Sequence, residues 1–451
     1  MNLDPDCGYY GTHLWLPKRY IANLTGVRNS LAFMQSNGET VNAWQNSDDH
    51  LRVPREYLSQ EDLEGLPFTI TDIRREPPRL SQRVQLRSTL RDERQEIAYT
   101  HMLGGNGVIS LACGAGKTIV ALHAWAALRT PGLFITHTLD LLEQWRDRIL
   151  QHTDITEDQI GVLHGQKVNW RKPICLASIQ TLAARIAAGT LPDGFVEQWG
   201  AVCWDEVHHL AAPTFNTTAA VIDGVRWGLS ATHARDDGND PLYKYHIGPV
   251  LYENLDQDLI PQSEFVYTGE LPSAYAWEQI RNKTGQVDWN RLCEWLSSKE
   301  SRNRLIESYI QPCLEQGRKI LVLSRRIEHV ELLRSRHKGP AGMIHSGVPF
   351  KDRKRQLHEQ AIIFATADLA REGLDREDLD TVMIVLPVKR KGWIQQTLGR
   401  MQRKVAGVEK TPRLYVFEDE KIASGRNACT ELRAYLTGVN YPFKITRPPS
   451  R

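Results

Sequence analysis

The chain has 451 residues, more than one hydrophobic core usually supports, so two or three domains are expected. An apolar fraction of 41% and a charged fraction of 24% are those of an ordinary globular protein, and no apolar run is long enough to span a membrane. Residues 1–10 lack the basic start and apolar stretch of a signal peptide, and seven scattered cysteines without a C-x-x-C pair argue for a reducing, cytoplasmic compartment and against a structural zinc site. The net charge of +2 hides an asymmetry: residues 301–410 hold 22 Lys/Arg against 13 Asp/Glu, while residues 1–80 hold 8 against 11. A basic second half suggests a polyanionic partner.

Residues 1–80 contain an internal echo, Leu14-Trp15-Leu16-Pro17-Lys18-Arg19-Tyr20-Ile21 against Leu51-Arg52-Val53-Pro54-Arg55-Glu56-Tyr57-Leu58. Each copy reads as a strand end, a proline opening a helix, and a short helix, which predicts a small N-terminal α/β domain. Residues 74–79, with Pro77-Pro78, read as an extended linker. Over 81–262, strand-like runs at 108–111, 133–136, 174–177, 201–204 and 227–229 alternate with amphipathic segments such as 139–150 and 211–222. That alternation predicts a parallel sheet with helices on both faces. Residues 263–300, strand-like and then polar, are expected to connect it to a second α/β domain over 301–451. The strand candidates there are 320–323, 343–345, 362–365, 382–386 and 414–417.

Leu111-Ala112-Cys113-Gly114-Ala115-Gly116-Lys117-Thr118 joins a buried run to an amphipathic one. Gly-x-Gly-Lys-Thr at such a junction is a phosphate-binding turn. Gly114, Ala115 and Gly116 let backbone N–H groups wrap a β-phosphate, Lys117 neutralises β/γ charge, and the Thr118 hydroxyl is placed for Mg²⁺. The general pattern has glycine where Leu111 stands. Val202-Cys203-Trp204-Asp205-Glu206-Val207-His208-His209 ends a predicted strand in paired carboxylates: Asp205 to hold the metal, Glu206 to orient and deprotonate an attacking water. His208 and His209 diverge as neighbours in sequence and have no third ligand spaced nearby. Gly228-Leu229-Ser230-Ala231-Thr232 offers small hydroxyls that could relay hydrogen bonds from a nucleotide site to a neighbouring surface.

Further on, Lys351-Asp352-Arg353-Lys354-Arg355 reads as a solvated helix face. Lys389-Arg390-Lys391-Gly392-Trp393 places three cations and an aromatic in one loop, suited to gripping phosphates and stacking on a base; the alternative is a solvated turn with Trp393 in the core. Gln396-Thr397-Leu398-Gly399-Arg400-Met401-Gln402-Arg403 sets Arg400 and Arg403 one helical turn apart, an arginine-finger arrangement. ATP and Mg²⁺ are the cofactors these motifs imply.

In order and spacing the motifs resemble superfamily 2 helicases and translocases, and within them the XPB-like group, which includes phage enzymes of the UvsW type. The resemblance covers about residues 86–420. Cys113-Gly114-Ala115-Gly116-Lys117 looks like motif I of that group, where Leu at the first loop position is no anomaly. Glu143-Gln144-Trp145 resembles motif Ia and Ala177-Ser178-Ile179-Gln180-Thr181-Leu182 motif Ib, both lining the nucleic-acid track, which implies contacts from Gln180 and Thr181. Asp205-Glu206-Val207-His208 is the DEVH form of motif II, and Gly228 to Thr232 matches motif III. Arg235-Asp236-Asp237 stands where the group has Arg-Glu-Asp, implying a nucleic-acid contact from Arg235. Leu321-Val322-Leu323-Ser324-Arg325 looks like motif IV, with Ser324 and Arg325 toward nucleic acid. Ala365-Thr366 with Glu372-Gly373-Leu374-Asp375 fits motif V, and 396–403 fits motif VI.

The resemblance implies that Gly373, Asp375, Gln396, Arg400 and Arg403 complete the ATP site. It makes Gln95 the adenine sensor, one residue further along than usual, and turns Thr366 and Arg371 toward nucleic acid. It implies two tandem RecA-like parallel-sheet motor domains behind the small N-terminal α/β domain, which sits where these enzymes recognise damaged or branched DNA. The implied activity is that of an ATP-dependent DNA helicase or translocase running 3′ to 5′. Its implied substrates are duplex, forked or junction DNA, in branch migration, fork remodelling, recombination, replication or repair. An RNA helicase, or a motor or recognition subunit of a restriction or repair complex, is the alternative. A monomeric motor of prokaryotic or phage-infected cytoplasm completes the expectation.

Overall fold

The computed structural model describes residues 3–34, 38, 40–211, 215–231, 240–367, 369, 376, 378–387, 397–399, 401–402 and 409–447. The chain forms two compact units, Met1–Asp256 and Gln257–Arg451.

In the first unit, eight strands form one sheet in the order Lys167–Asn169, Ile160–His164, Ile174–Ser178, Gly132–Thr136, Ala201–Asp205, Val225–Ser230, Gly107–Leu111 and Val250–Asn254. Every pairing is parallel except the edge hairpin of the first two. Gly107–Leu111, Gly132–Thr136 and Ile174–Ser178 are buried along their whole length, because helices such as Glu93–Leu103, Lys117–Leu128, Leu139–His152 and Ile179–Ala187 cover the sheet. That is why these strands read as continuous apolar runs rather than alternating ones. The expected helix over 211–222 is instead two short 3₁₀ segments, Val207–Ala211 and Asn216–Val221.

A five-stranded sheet precedes it, ordered Gln45–Asn46, His50–Pro54, His13–Pro17, Gly8–Tyr10, Ile70–Asp72. The two copies of the echo are neighbouring antiparallel strands, with Leu14 opposite Val53 and Leu16 opposite Leu51. All four side chains enter one small core. Each proline is the last residue of its strand, and only the first copy continues into a short 3₁₀ turn, Lys18–Tyr20. The prolines therefore end strands, whereas the sequence pattern suggested that they open helices.

Two buried arginines join this module to the large sheet. Arg55 donates to the carbonyls of Asp223 at 2.8 Å and Gly224 at 3.0 Å and to Asn106 Oδ1 at 3.0 Å. Arg226 donates to the carbonyls of His246 at 2.8 Å, Thr12 at 2.9 Å and Ile222 at 3.0 Å. Burial and the neighbouring guanidinium disfavour charge on Arg226, and Glu56 and Tyr10 oppose this. Asn106 binds Glu56 Oε1, which also accepts from Tyr10. These contacts cluster where Gly107–Leu111 and Val225–Ser230 begin, so the module is fixed at the end of the sheet opposite the phosphate loop.

Among the described residues, the second unit holds seven parallel strands in the order Gly342–Ile344, Ile362–Thr366, Ile320–Ser324, Thr381–Ile384, Arg413–Glu418, Gln262–Tyr267 and Phe443–Thr446. Gln262–Tyr267 corrects the expected connector over 263–300, since its start is an interior strand of this sheet. The polar remainder folds into the helices Ala274–Ile280 and Trp289–Ser297. Arg302 and Asp419 form a fully buried ion pair at 2.9 Å, and Thr268 donates a hydrogen bond to the same carboxylate.

Replacing Arg55 with Ala removes the guanidinium donor from the buried Asp223 and Gly224 carbonyls, while Asn106 Oδ1 keeps the Arg226 amide. Urea unfolding should show a loss of about 3 kcal/mol. An unchanged unfolding midpoint would contradict the buried junction.

Candidate nucleotide and nucleic-acid site

Parallel pairing sets Asp205 level with Leu229 and Ile109, so the three strands finish at the same edge of the sheet, Gly107–Leu111 running two residues further. Open parallel sheets bind ligands beyond their carboxyl ends. Here the phosphate loop and the Asp205-Glu206 pair both emerge at that end.

Leu111 is the regular last residue of its strand, and its carbonyl accepts a 3.0 Å hydrogen bond from Lys117 Nζ. A glycine is therefore not needed at that position. It is needed at Gly114 and Gly116, with φ of 82° and 87°. A Cβ on Gly116 would come within 2.2 Å of Gln95 Nε2. Gly116 starts the helix Lys117–Leu128 without a side-chain cap, leaving a helix N-terminus suited to an anion. Gln95 is buried, donates to the Ala115 carbonyl at 2.7 Å and accepts from the Arg91 amide at 2.7 Å. It braces the loop from below.

The carboxylate pair is held under tension. Glu206 has φ of 49°, a left-handed conformation that costs a non-glycine residue about 1–3 kcal/mol. Its amide donates to Asp205 Oδ1 at 3.0 Å, and the Trp145 indole donates to Asp205 Oδ2 at 2.8 Å. Burial first, and then the Glu206 charge, push the Asp205 carboxyl above its ordinary range; Trp145, Lys117 and His137 oppose this. Glu206 Oε2 is buried without a hydrogen-bond partner, 3.5 Å from His208 Nδ1. An oxygen left unsatisfied in this way is suited to receive a water proton. Asp205 with the Thr118 hydroxyl makes an all-oxygen donor set of the kind Mg²⁺ takes.

A histidine cluster lies beside the pair. The His137 and His209 rings stack with centroids 3.7 Å apart, and His208 neighbours His209 at 4.4 Å. Gln180 donates to the His137 carbonyl at 2.7 Å and accepts from Ser178. A chain of contacts thus leads from exposed Gln180 to Glu206. Thr181 accepts from the Gly165 amide.

In the second unit, Ser324 and Thr366 are paired strand-end residues, both buried. The Ser324 hydroxyl is engaged with His329 at 3.0 Å and with the Arg326 amide. Its side chain faces inward, in contrast to the nucleic-acid contact expected of it. Arg325 is exposed, with its guanidinium 6.0 Å from the Trp289 ring. Arg235, Arg371, Gly373, Asp375, Lys389, Arg390, Lys391, Trp393, Gln396, Arg400 and Arg403 lie outside the described residues. Sequence reasoning missed Trp145, placing its motif on the nucleic-acid side. The available signal was a tryptophan on a buried helix face, which needs an acceptor for its N–H.

Comparison with known proteins agrees with this geometry. Residues 78–235 match the family model for the res subunit of type III restriction enzymes, and residues 301–405 match the helicase conserved C-terminal domain. The chain is 32% identical over 276 residues to the DNA 3′–5′ helicase XPB of Kineococcus radiotolerans, covering 59% of this chain and 47% of that protein. It is 33% identical over 177 residues to the DNA 3′–5′ helicase XPB of Mycobacterium tuberculosis, covering 38% and 32%. The chain belongs to the superfamily 2 helicases, in their XPB-like group. A protein of Acanthamoeba polyphaga mimivirus, named as a candidate ATP-dependent RNA helicase, is 30% identical to this XPB-like chain over 67% of its length and 58% of the viral protein. The chain spans roughly a third to just over half the length of these relatives.

Substituting Glu206 with Gly removes both the left-handed strain and the unsatisfied oxygen. The variant should unfold about 1 kcal/mol later in urea than the parent while losing ATP turnover. A less stable variant would contradict the strained geometry.

Proposed function

We propose that the chain is an ATP-dependent DNA translocase or helicase acting on duplex, forked or junction DNA, moving 3′ to 5′. The observation that carries this reading is the Asp205-Glu206 pair at the strand end beside the phosphate loop, in a chain whose relatives include DNA 3′–5′ helicases. Lys117 and the loop amides hold the phosphates, Thr118 and Asp205 hold Mg²⁺, and Glu206 takes the proton of the attacking water. Bound Mg²⁺ supplies charge neutralisation at the β- and γ-oxygens. Gln95 senses the base while bracing the loop. Arg400, Arg403, Gly373, Asp375 and Gln396 are assigned to ATP hydrolysis by their motif alone.

Gln180, Thr181, Arg235, Arg325, Thr366, Arg371 and the Lys389–Lys391 run with Trp393 are the proposed nucleic-acid contacts. They bind backbone, so substrate choice falls to DNA shape and to residues 1–80. Fork regression, branch migration and repair, as in UvsW-type phage enzymes, are the tasks that suit a monomeric cytoplasmic motor of this build. No described helix is long and apolar enough to cross a membrane. The viral relative favours one second reading, RNA in place of DNA.

Steady-state ATPase assays with single-stranded DNA, duplex, fork, four-way junction and their RNA counterparts test the proposal. Stimulation by duplex or branched DNA is expected; stimulation by RNA alone would replace DNA with RNA, and no stimulation would contradict a motor. Lys117→Ala should reduce turnover by at least about 10²-fold while DNA binding persists. Arg403→Ala should lower kcat by about 10³-fold with little change in nucleotide affinity. An effect on affinity alone would remove it from the finger role.

A further inference from the structure

We propose that Trp145 is a positioning residue for the metal-holding carboxylate, its indole N–H fixing Asp205 in the orientation that receives Mg²⁺. This rests on the assignment of Asp205 as the Mg²⁺ holder. Trp145 lies on the buried stripe of Leu139–His152, with Leu142 one turn before it and Ile149 one turn after it. Thr138 caps that helix through the Leu141 amide. The indole packs on Phe134, centroids 4.7 Å apart, from the strand adjacent to the one that carries Asp205. The ring is buried, so its orientation is set by the core and not by solvent.

The result is one rigid donor, 2.8 Å from Asp205 Oδ2, while the Glu206 amide holds Oδ1 at 3.0 Å. One hydrogen bond to each oxygen fixes the carboxylate plane and leaves the remaining lone pairs for the metal and its water. Without the indole, only the Glu206 amide restrains Asp205, whose terminal torsion is intrinsically broad. Donors of this kind typically change metal affinity by 10–100-fold when removed. The helix carrying Trp145 thereby ties the metal site to the segment between the strands Gly132–Thr136 and Ile160–His164, so a displacement of that helix is felt at Asp205.

The test is retention of the fluorescent nucleotide mant-ADP as Mg²⁺ is titrated. Trp145→Phe keeps the packing against Phe134 and loses only the donor. It should raise the Mg²⁺ needed for half-maximal retention by tenfold or more, while affinity in EDTA stays within about twofold. Trp145→His, which keeps a ring N–H, should recover part of the effect. Equal Mg²⁺ requirements in the phenylalanine variant and the parent would overturn the proposal, as would equal losses in the two variants at equal thermal stability. Asp205→Asn separates the two claims. If it leaves the Mg²⁺ dependence unchanged, the metal-holder assignment itself falls. If it abolishes the dependence while Trp145→Phe does not alter it, only the role of Trp145 falls.

A measurement on chain with Trp145 intact guards against misfolding of the variants. In ¹⁵N-tryptophan-labelled protein, one indole N–H resonance should shift on Asp205→Asn substitution and again when Mg²⁺ and ADP are added to the parent. No shifted resonance would overturn the proposal whether or not the phenylalanine variant folds.

Discussion

Everything in the first unit converges on holding two like-charged carboxylates side by side at the end of a buried strand. Burial and mutual repulsion both disfavour the charge on Asp205. The fold counters with donors: the Trp145 indole, the Glu206 amide and the nearby Lys117 ammonium. It also holds Glu206 in a left-handed backbone, with one carboxylate oxygen buried and unsatisfied. Such an arrangement persists only where surrounding structure over-determines it. The central strands of the sheet, buried between apolar clusters on both faces, provide that rigidity.

The same sheet separates two functions along its strands. The strand ends carry the phosphate loop and the carboxylates, while the strand beginnings carry the N-terminal module through Arg55, Arg226 and Asn106. These contacts are buried hydrogen bonds within one compact unit. Any signal from residues 1–80 to the nucleotide must therefore pass through the sheet or through a shared substrate. The Gln180–His137–His209–His208 row is a contiguous route from an exposed polar side chain to Glu206, on the carboxyl-end side of that sheet.

The strands that sequence alone made legible are those buried on both faces, such as 107–111 and 320–324, where the apolar run is unbroken. Gln262–Tyr267 read as strand-like but was placed in a connector, because its partners Arg413–Glu418 and Phe443–Thr446 lie far along the chain. In the fold Glu264 is satisfied by Tyr309 and Lys444, a tertiary solution invisible to local pattern. Ile160–His164, Val250–Asn254 and Phe443–Thr446 were missed because they lie toward the sheet margins, where burial is less complete. Around the site, the loop, Asp205 and Glu206 were legible because their chemistry demands fixed spacing. Trp145 and His137 were not, since their roles arise from strands and helices brought together by the sheet. Ser324 shows the reverse failure: its motif suggested an outward contact, yet His329 draws the hydroxyl inside.

The central claim is that Asp205 and Glu206 divide the labour of metal holding and water activation. A crystal structure of the chain with Mg²⁺ and a non-hydrolysable ATP analogue tests it most directly. The account predicts Mg²⁺ at about 2.1 Å from the Thr118 hydroxyl, with Asp205 in contact with it or its waters. Glu206 Oε2 should hydrogen-bond a water in line with the γ-phosphate. Phosphates bound away from Lys117, or a metal shell that Asp205 does not touch, would contradict it.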